Sequence, residues 1–217
     1  MMDHDLHSPR AGTVLQQCRS LGWDLPEGTA ESLALYLELL ESWNRRMNLV
    51  GPQSWQEVLA TLVMDSMHLA GFLDGLPLPG SPLSLDLGAG AGLPGIPLRL
   101  VWGRGRYVMV EVRQKRAVFL RHVLARLDIP GTEVFHGAVE NLPQGLVSAD
   151  LVLGRAFRPW KDMLRLSRGL QRPGGVTVIM SNDPPPSEIA IPEPWRLFGE
   201  QAYRIQGLDR YFWALSL

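Results

Sequence analysis

The chain has 217 residues, 46% hydrophobic and 20% charged, and its 21 lysines and arginines nearly balance 22 acids for a formal charge of -1. That length suits one domain with a modest appendage, and the neutral balance excludes a nucleic-acid binder driven by bulk charge, so any RNA contact must come from local patches. The single cysteine, Cys18, excludes an intrachain disulfide and fits a reducing compartment, and no run approaches the roughly 18 apolar residues of a membrane span.

The opening, MMDHDLHSPR, contains acids and no apolar stretch, so it is not a secretory signal and a cytoplasmic protein is expected. Residues 1 to about 12 read as a loose tail, without periodicity. From Ala30 to Leu49, Leu33, Tyr36, Leu37, Leu40, Trp43 and Met47 recur at helical spacing, with Glu31, Glu38 and Glu41 on other faces. A second helix is expected from Trp55 to Leu73. The prolines and glycines of DGLPLPGSP (74–82) then read as a linker between an N-terminal helical region (1–73) and a main domain (83–217).

Beyond the linker, strands and helices alternate. Strands are expected at 83–87, 106–111, 132–136, 149–154 and 175–180, with helices ending near Trp102 and covering 113–127 and 160–171, and a turn at 138–142. The tail EQAYRIQGLDRYFWALSL reads as a hairpin turning at Gly207–Asp209. The expected class is therefore α/β, doubly wound and Rossmann-like, with a mostly parallel sheet, an antiparallel C-terminal hairpin and an N-terminal helical subdomain.

The most informative stretch is LDLGAGAGLPGIPL (85–98). Glycine lets the backbone turn tightly and approach a ligand, and the amides that open the following helix can hold a negative group. From Gly90 the stretch fits the dinucleotide pattern G-x-G-x-x-G; from Asp86 it fits the D-x-G-x-G of S-adenosylmethionine enzymes. Glu111, closing the second strand, could accept a ribose diol of either cofactor. S-adenosylmethionine is favoured by Asp86 at the strand end, within reach of an ammonium, by the C-terminal hairpin in place of a second mononucleotide half, and by HGAVENLP (136–143) where an adenine would sit.

With these motifs the chain resembles the RsmG (GidB) type of 16S ribosomal RNA guanine-N7 methyltransferases. The similarity rests on YLELLESWNRRMNL (36–49), the Asp65–Ser66 pair, the glycine stretch, EVRQKRAVFLR (111–121), AVENLP and GRAF (154–157). It implies a class I methyltransferase fold, S-adenosylmethionine as cofactor, 16S RNA or the small ribosomal subunit as partner, and cofactor contacts at Gly88, Leu93, Val139, Glu140 and Arg155. Asp86, Gly90 and Glu111 are added from the residues themselves. The chain departs from the family pattern at Leu62, where a histidine is common, and at Ser181–Asn182, where Lys-Gly is common. The alternatives are a related methyltransferase acting on another nucleic acid, and a non-catalytic S-adenosylmethionine or dinucleotide binder.

Guanine N7 carries a lone pair and no proton, so methylation needs placement and no general base. Arg155 is the expected positioning residue. The five histidines lack metal or triad spacing, Cys18 has no partner, and no metal site is expected. Three basic clusters are candidates for phosphate contact: Arg45 and Arg46; Arg113, Lys115 and Arg116; and Arg158 and Lys161, with Arg165 and Arg168 beyond. A monomer is expected.

Overall fold

A computed structural model of the chain describes residues 8–217; His4, His7 and most of the expected tail lie outside them. Short apolar runs, buried on both faces in the middle of the sheet, build most of seven strands: β1 (Leu83–Leu87), β2 (Arg106–Glu111), β3 (Thr132–His136), β4 (Ala149–Arg155), β5 (Gln171–Ser181), β6 (Arg196–Ile205) and β7 (Leu208–Ser216). They form one sheet in the order β3-β2-β1-β4-β5-β7-β6. The first five strands pair in parallel, and β7 lies antiparallel between β5 and β6. The order reverses between β1 and β4, and open α/β sheets bind ligands at the carboxyl ends of strands beside such a switch.

On one face the sheet presents Tyr107, Met109, Leu151, Leu153, Val178 and Phe212; on the other it presents Leu85, Leu87, Val108, Val110, Val152 and Trp213. The first face is covered by α1 (Ala11–Ser20), α2 (Glu27–Met47), α4 (Met64–Asp74), α5 (Gly95–Val101) and α6 (Gln114–Leu127). The second carries α7 (Trp160–Ser167) and short 3-10 turns. The buried faces of the N-terminal helices belong to the same apolar core as the first face of the sheet.

Three local features differ from the expected elements. The tail is helical from Ala11, because Val14 and Cys18, one turn apart, both enter the core. The helix beginning at α3 (Trp55–Val58), capped by the Ser54 side chain, passes through a π-helical stretch at Leu59–Val63 before continuing as α4. α7 ends at Ser167, and β5 starts four residues before the expected strand. Residues 75–82 contain neither helix nor strand, and Arg104 donates to the carbonyls of Leu78 and Pro79 there.

At the opposite end of the sheet from the strand carboxyl ends, Arg99 is 4% exposed. Its guanidinium donates to the carbonyls of Trp102, Arg104, Gly103, Gly105 and Pro130, and to the Thr132 hydroxyl. With no acidic partner among the described residues, the buried cation is tolerated because its donors find acceptors in these carbonyls and the hydroxyl.

Candidate functional site

The glycine stretch leaves β1 with Gly88, Gly90 and Gly92 all at positive φ (72°, 57° and 80°), a region that costs an L-residue roughly 1–2 kcal/mol. Gly88 has a second reason to be glycine: a Cβ there would overlap the ring of Phe157. The loop is fixed from three sides. Glu111, 4% exposed, accepts from the Gly90 amide (2.9 Å) with one carboxylate oxygen and from the Arg113 amide (2.7 Å) with the other. From α2, the fully buried Tyr36 donates its hydroxyl to the Ala91 carbonyl at 2.9 Å. From below, Gly92 packs on Ile96 and Leu120.

A cleft of about 280 Å³ opens beside this loop, and its walls include Gly88, Glu111, Arg116, Val139, Glu140 and Phe157. Four of the eight expected cofactor residues thus share one cavity. Gly90 acts through its bond to Glu111. Leu93, 9% exposed and followed by a cis bond to Pro94, supports the loop from inside. Asp86 does not line the cleft. Strand alternation turns its side chain, 1% exposed, beneath α5, where a Cβ on Gly95 would come within 2.7 Å of its Oδ2. Burial pushes the Asp86 carboxyl up to about 7, opposed by the neighbouring Tyr107 hydroxyl and Gly95 amide.

Arg155 lies on the other side of a partition. Ala156 takes a left-handed φ of 49° at the end of β4, strain of a kind that gathers at sites. Arg155 on one side of it turns to the first face of the sheet, and Phe157 on the other covers Gly88. The Arg155 guanidinium meets Asp65 Oδ2 at 3.2 Å and the Leu62 carbonyl at 3.5 Å. That carbonyl belongs to the π-helical stretch, where the i→i−4 ladder is interrupted. Asp65 Oδ1 accepts the Tyr203 hydroxyl at 3.0 Å. Burial holds the Asp65 carboxyl above its ordinary range, against the pull of Arg155, the Tyr203 bond, Arg210 and His68. Burial likewise lowers His68, which sits between the rings of Trp23 and Tyr203.

This network forms the wall of a second cleft, of about 480 Å³, shared with Phe157, Trp160, Trp213 and Asn182. Trp160 and Trp213 meet edge to face at 6.1 Å, and Arg158 and Lys161 lie over the rings of Phe157 and Trp160 at 5.2 Å each. Phe157 borders both clefts. The cavity therefore offers flat aromatic surfaces, one buried carboxylate and several cations, which suits a planar heterocycle attached to a phosphate chain.

Of the expected basic residues, Arg113 and Arg116 line the first cleft, and Arg158 crosses it to pair with Glu140 at 3.3 Å. Arg45 and Arg46 are exposed at the end of α2, and Arg46 and Lys115 share a groove. Arg165 pairs with Asp162. His122 packs on Trp43, and His136 is exposed at the end of β3. Tyr203 and Arg210 were not singled out by sequence, and Asp65 only as part of a signature; their partners are far away in the chain.

Comparison with known proteins gives a consistent result. A family model described as rRNA small subunit methyltransferase G matches residues 29–196. A protein of Nitratidesulfovibrio vulgaris named Ribosomal RNA small subunit methyltransferase G is 52% identical over 91% of this chain and 90% of its own. A protein of the same name from Lawsonia intracellularis is 43% identical, covering 94% of both. Among solved structures, a SAM-dependent methyltransferase from Aquifex aeolicus superposes with a TM-score of 0.56 at 16% identity, over 82% of this chain and 98% of that one.

Proposed function

From the premise that the chain belongs to the rRNA small subunit methyltransferase G family, we propose that it methylates N7 of a guanine in 16S ribosomal RNA, using the two clefts that meet at Phe157. It is an S-adenosylmethionine-dependent methyltransferase of small-subunit ribosomal RNA. The observation that carries the finer reading is the partition itself: a glycine-walled cleft and an aromatic cleft lie back to back, sharing the short segment Ala156, Phe157 and Arg158.

Bound S-adenosylmethionine supplies a methyl group on a sulfonium, which the guanine N7 lone pair takes as the carbon–sulfur bond breaks and positive charge passes to the base. Gly88 leaves the room that a side chain would fill, and Glu111, with two lone pairs still free, accepts ribose hydroxyls while holding Gly90. Val139 offers an apolar edge to an adenine and Glu140 an acceptor beside it. Asp86 acts beneath the loop by keeping α5 and β1 in register.

Arg155, held by Asp65 and the Leu62 carbonyl, orients the reacting partners where the clefts meet. Phe157 and Trp160 present faces for the guanine to stack on, and Asp65 offsets the charge that develops on it. Arg113, Arg116, Arg158 and Lys161 meet the phosphates around the target. Orientation alone contributes on the order of 7–11 kcal/mol to a two-reactant step, so no proton-accepting residue is required. The working form is a monomer in the cytoplasm.

The test is transfer of labelled methyl from S-adenosylmethionine to small ribosomal subunits from a strain lacking this protein, with the modified base mapped. Label at N7 of one 16S guanine is the expected result. Label at another position or on another RNA, with cofactor binding intact, overturns the assignment of the base.

A further inference from the structure

We propose that the groove between α2 and α6 is a second RNA site, outside the methyl-transfer clefts, which holds a single-stranded segment flanking the target nucleotide. The inference rests on the reading of the substrate as ribosomal RNA. The groove, of about 560 Å³, has an apolar floor of Trp43, Met47 and Val118 and a rim that carries Arg46 and Lys115. Val118 is 45% exposed, an apolar side chain on the outer side of α6, whose Ala117, Phe119, Leu120, Val123 and Leu127 are buried. Trp43 is held from behind by Phe119 and His122, with ring centroids at 5.5 and 5.7 Å.

The charges point to an anionic occupant. Arg45, Arg46 and Lys115 form no ion pair among the described residues. The residues lining the groove include no acid. In a chain with one more acid than base, two unneutralised cations on one groove, with Arg45 beside Arg46 in the chain, are a local surplus, the footprint of phosphate contact. Lys115 lies at the first cation-rich turn of α6, where Arg113 and Arg116 face the cofactor cleft. A strand whose phosphates lie on Arg113 and Arg116 therefore meets the groove across one helical turn.

The apolar floor decides between single and double strands. A duplex keeps its bases stacked and offers phosphates and 2′-hydroxyls, for which an indole–thioether floor has no use. An unpaired base has a face to lay on Trp43 and Met47 while its phosphates lie on Arg46 and Lys115.

The decisive comparison uses the full-length wild type and the double variant Arg46→Glu/Lys115→Glu, with Arg196→Glu on the outer strand β6 as a charge control. Binding of a fluorescent single-stranded 16S fragment is measured against salt, alongside the KM for small subunits and the affinity for S-adenosylhomocysteine. The double variant should bind the fragment at least about tenfold more weakly, with a salt slope shallower by about 1.4, the share of two phosphate contacts on a single strand. Its KM for subunits should rise in parallel, while S-adenosylhomocysteine affinity and the control stay at wild-type values. RNA affinity and salt slope unchanged in the double variant overturn the groove, as does an equal loss in the control. If the wild type binds the fragment but transfers no methyl to subunits, the reading of the substrate fails, and the binding comparison still decides the groove. Photocrosslinking of a 4-thiouridine-labelled strand should mark 42–47 or 114–118; crosslinks confined to other segments also overturn it.

Discussion

The Tyr36 hydroxyl and the Ala91 carbonyl, 55 residues apart in the chain, form a buried 2.9 Å hydrogen bond between α2 and the glycine loop. The helical region is thereby bonded directly to the backbone of the glycine loop. Tyr36→Phe keeps the packing but leaves a buried carbonyl without its donor, a loss of about 1–2 kcal/mol. Denaturant unfolding should show that loss, and calorimetry with S-adenosylhomocysteine should show several-fold weaker binding. Unchanged affinity together with reduced stability would confine the bond to folding.

Gly88→Ala should weaken cofactor binding more than tenfold, since the new methyl meets the Phe157 ring at a φ of 72°. Adding Phe157→Ala separates the two causes. Partial recovery of affinity in the double variant is expected, because the overlap goes while the backbone strain stays. A double variant as weak as the single one would leave backbone conformation as the whole explanation.

Asp65→Ala strips Tyr203 of its acceptor and leaves Arg155 only the Leu62 carbonyl at 3.5 Å. Removing one partner of such a pair costs about 3 kcal/mol, and Arg155 is then held at one point in place of two. The measurement is steady-state kinetics: kcat should fall by at least about tenfold, a loss of 1.4 kcal/mol in the transition state, with S-adenosylhomocysteine affinity near wild type. Asp65→Asn, which keeps a carbonyl oxygen toward either partner, should lie between. A fall confined to cofactor affinity would move Arg155 to the other cleft.

Asp86 sets a pH dependence with a definite sign. Its carboxyl is raised to about 7 in the folded chain from an ordinary value of 3.8, so between those values the native state binds the proton more tightly than the unfolded chain. Stability should therefore fall as pH rises through that window, by an upper bound of roughly 4 kcal/mol, and level off above it. Urea unfolding at pH 5 and pH 8 measures the difference, and Asp86→Asn should flatten it. The same slope in both proteins would assign the effect to other groups.

Every strand of the sheet could be read, the inner ones as short apolar runs between helices and turns and the last two as a hairpin, and the glycine stretch located the first cleft because it states its conformational needs locally. What escaped the reading is relational. α1 offers only Val14 and Cys18 to the core, too few for a periodic signal. The Asp65–Tyr203 bond joins residues 138 positions apart. Asp86 sits at the expected strand end, yet pleating aims it under α5, a direction that depends on which face of β1 the helices cover. The left-handed Ala156 has no marker in its residue type, although it decides that Arg155 and Phe157 part company.

Arg99 divides the labour between the two ends of the molecule. One guanidinium stitches the turns that feed β2 and β3, so that end is fastened by contacts made entirely within the chain. The opposite end carries the left-handed Ala156, the buried Asp65 carboxyl above its usual range, and the exposed cations around the two clefts. The seam at the base leaves the working rim at liberty to be uncomfortable.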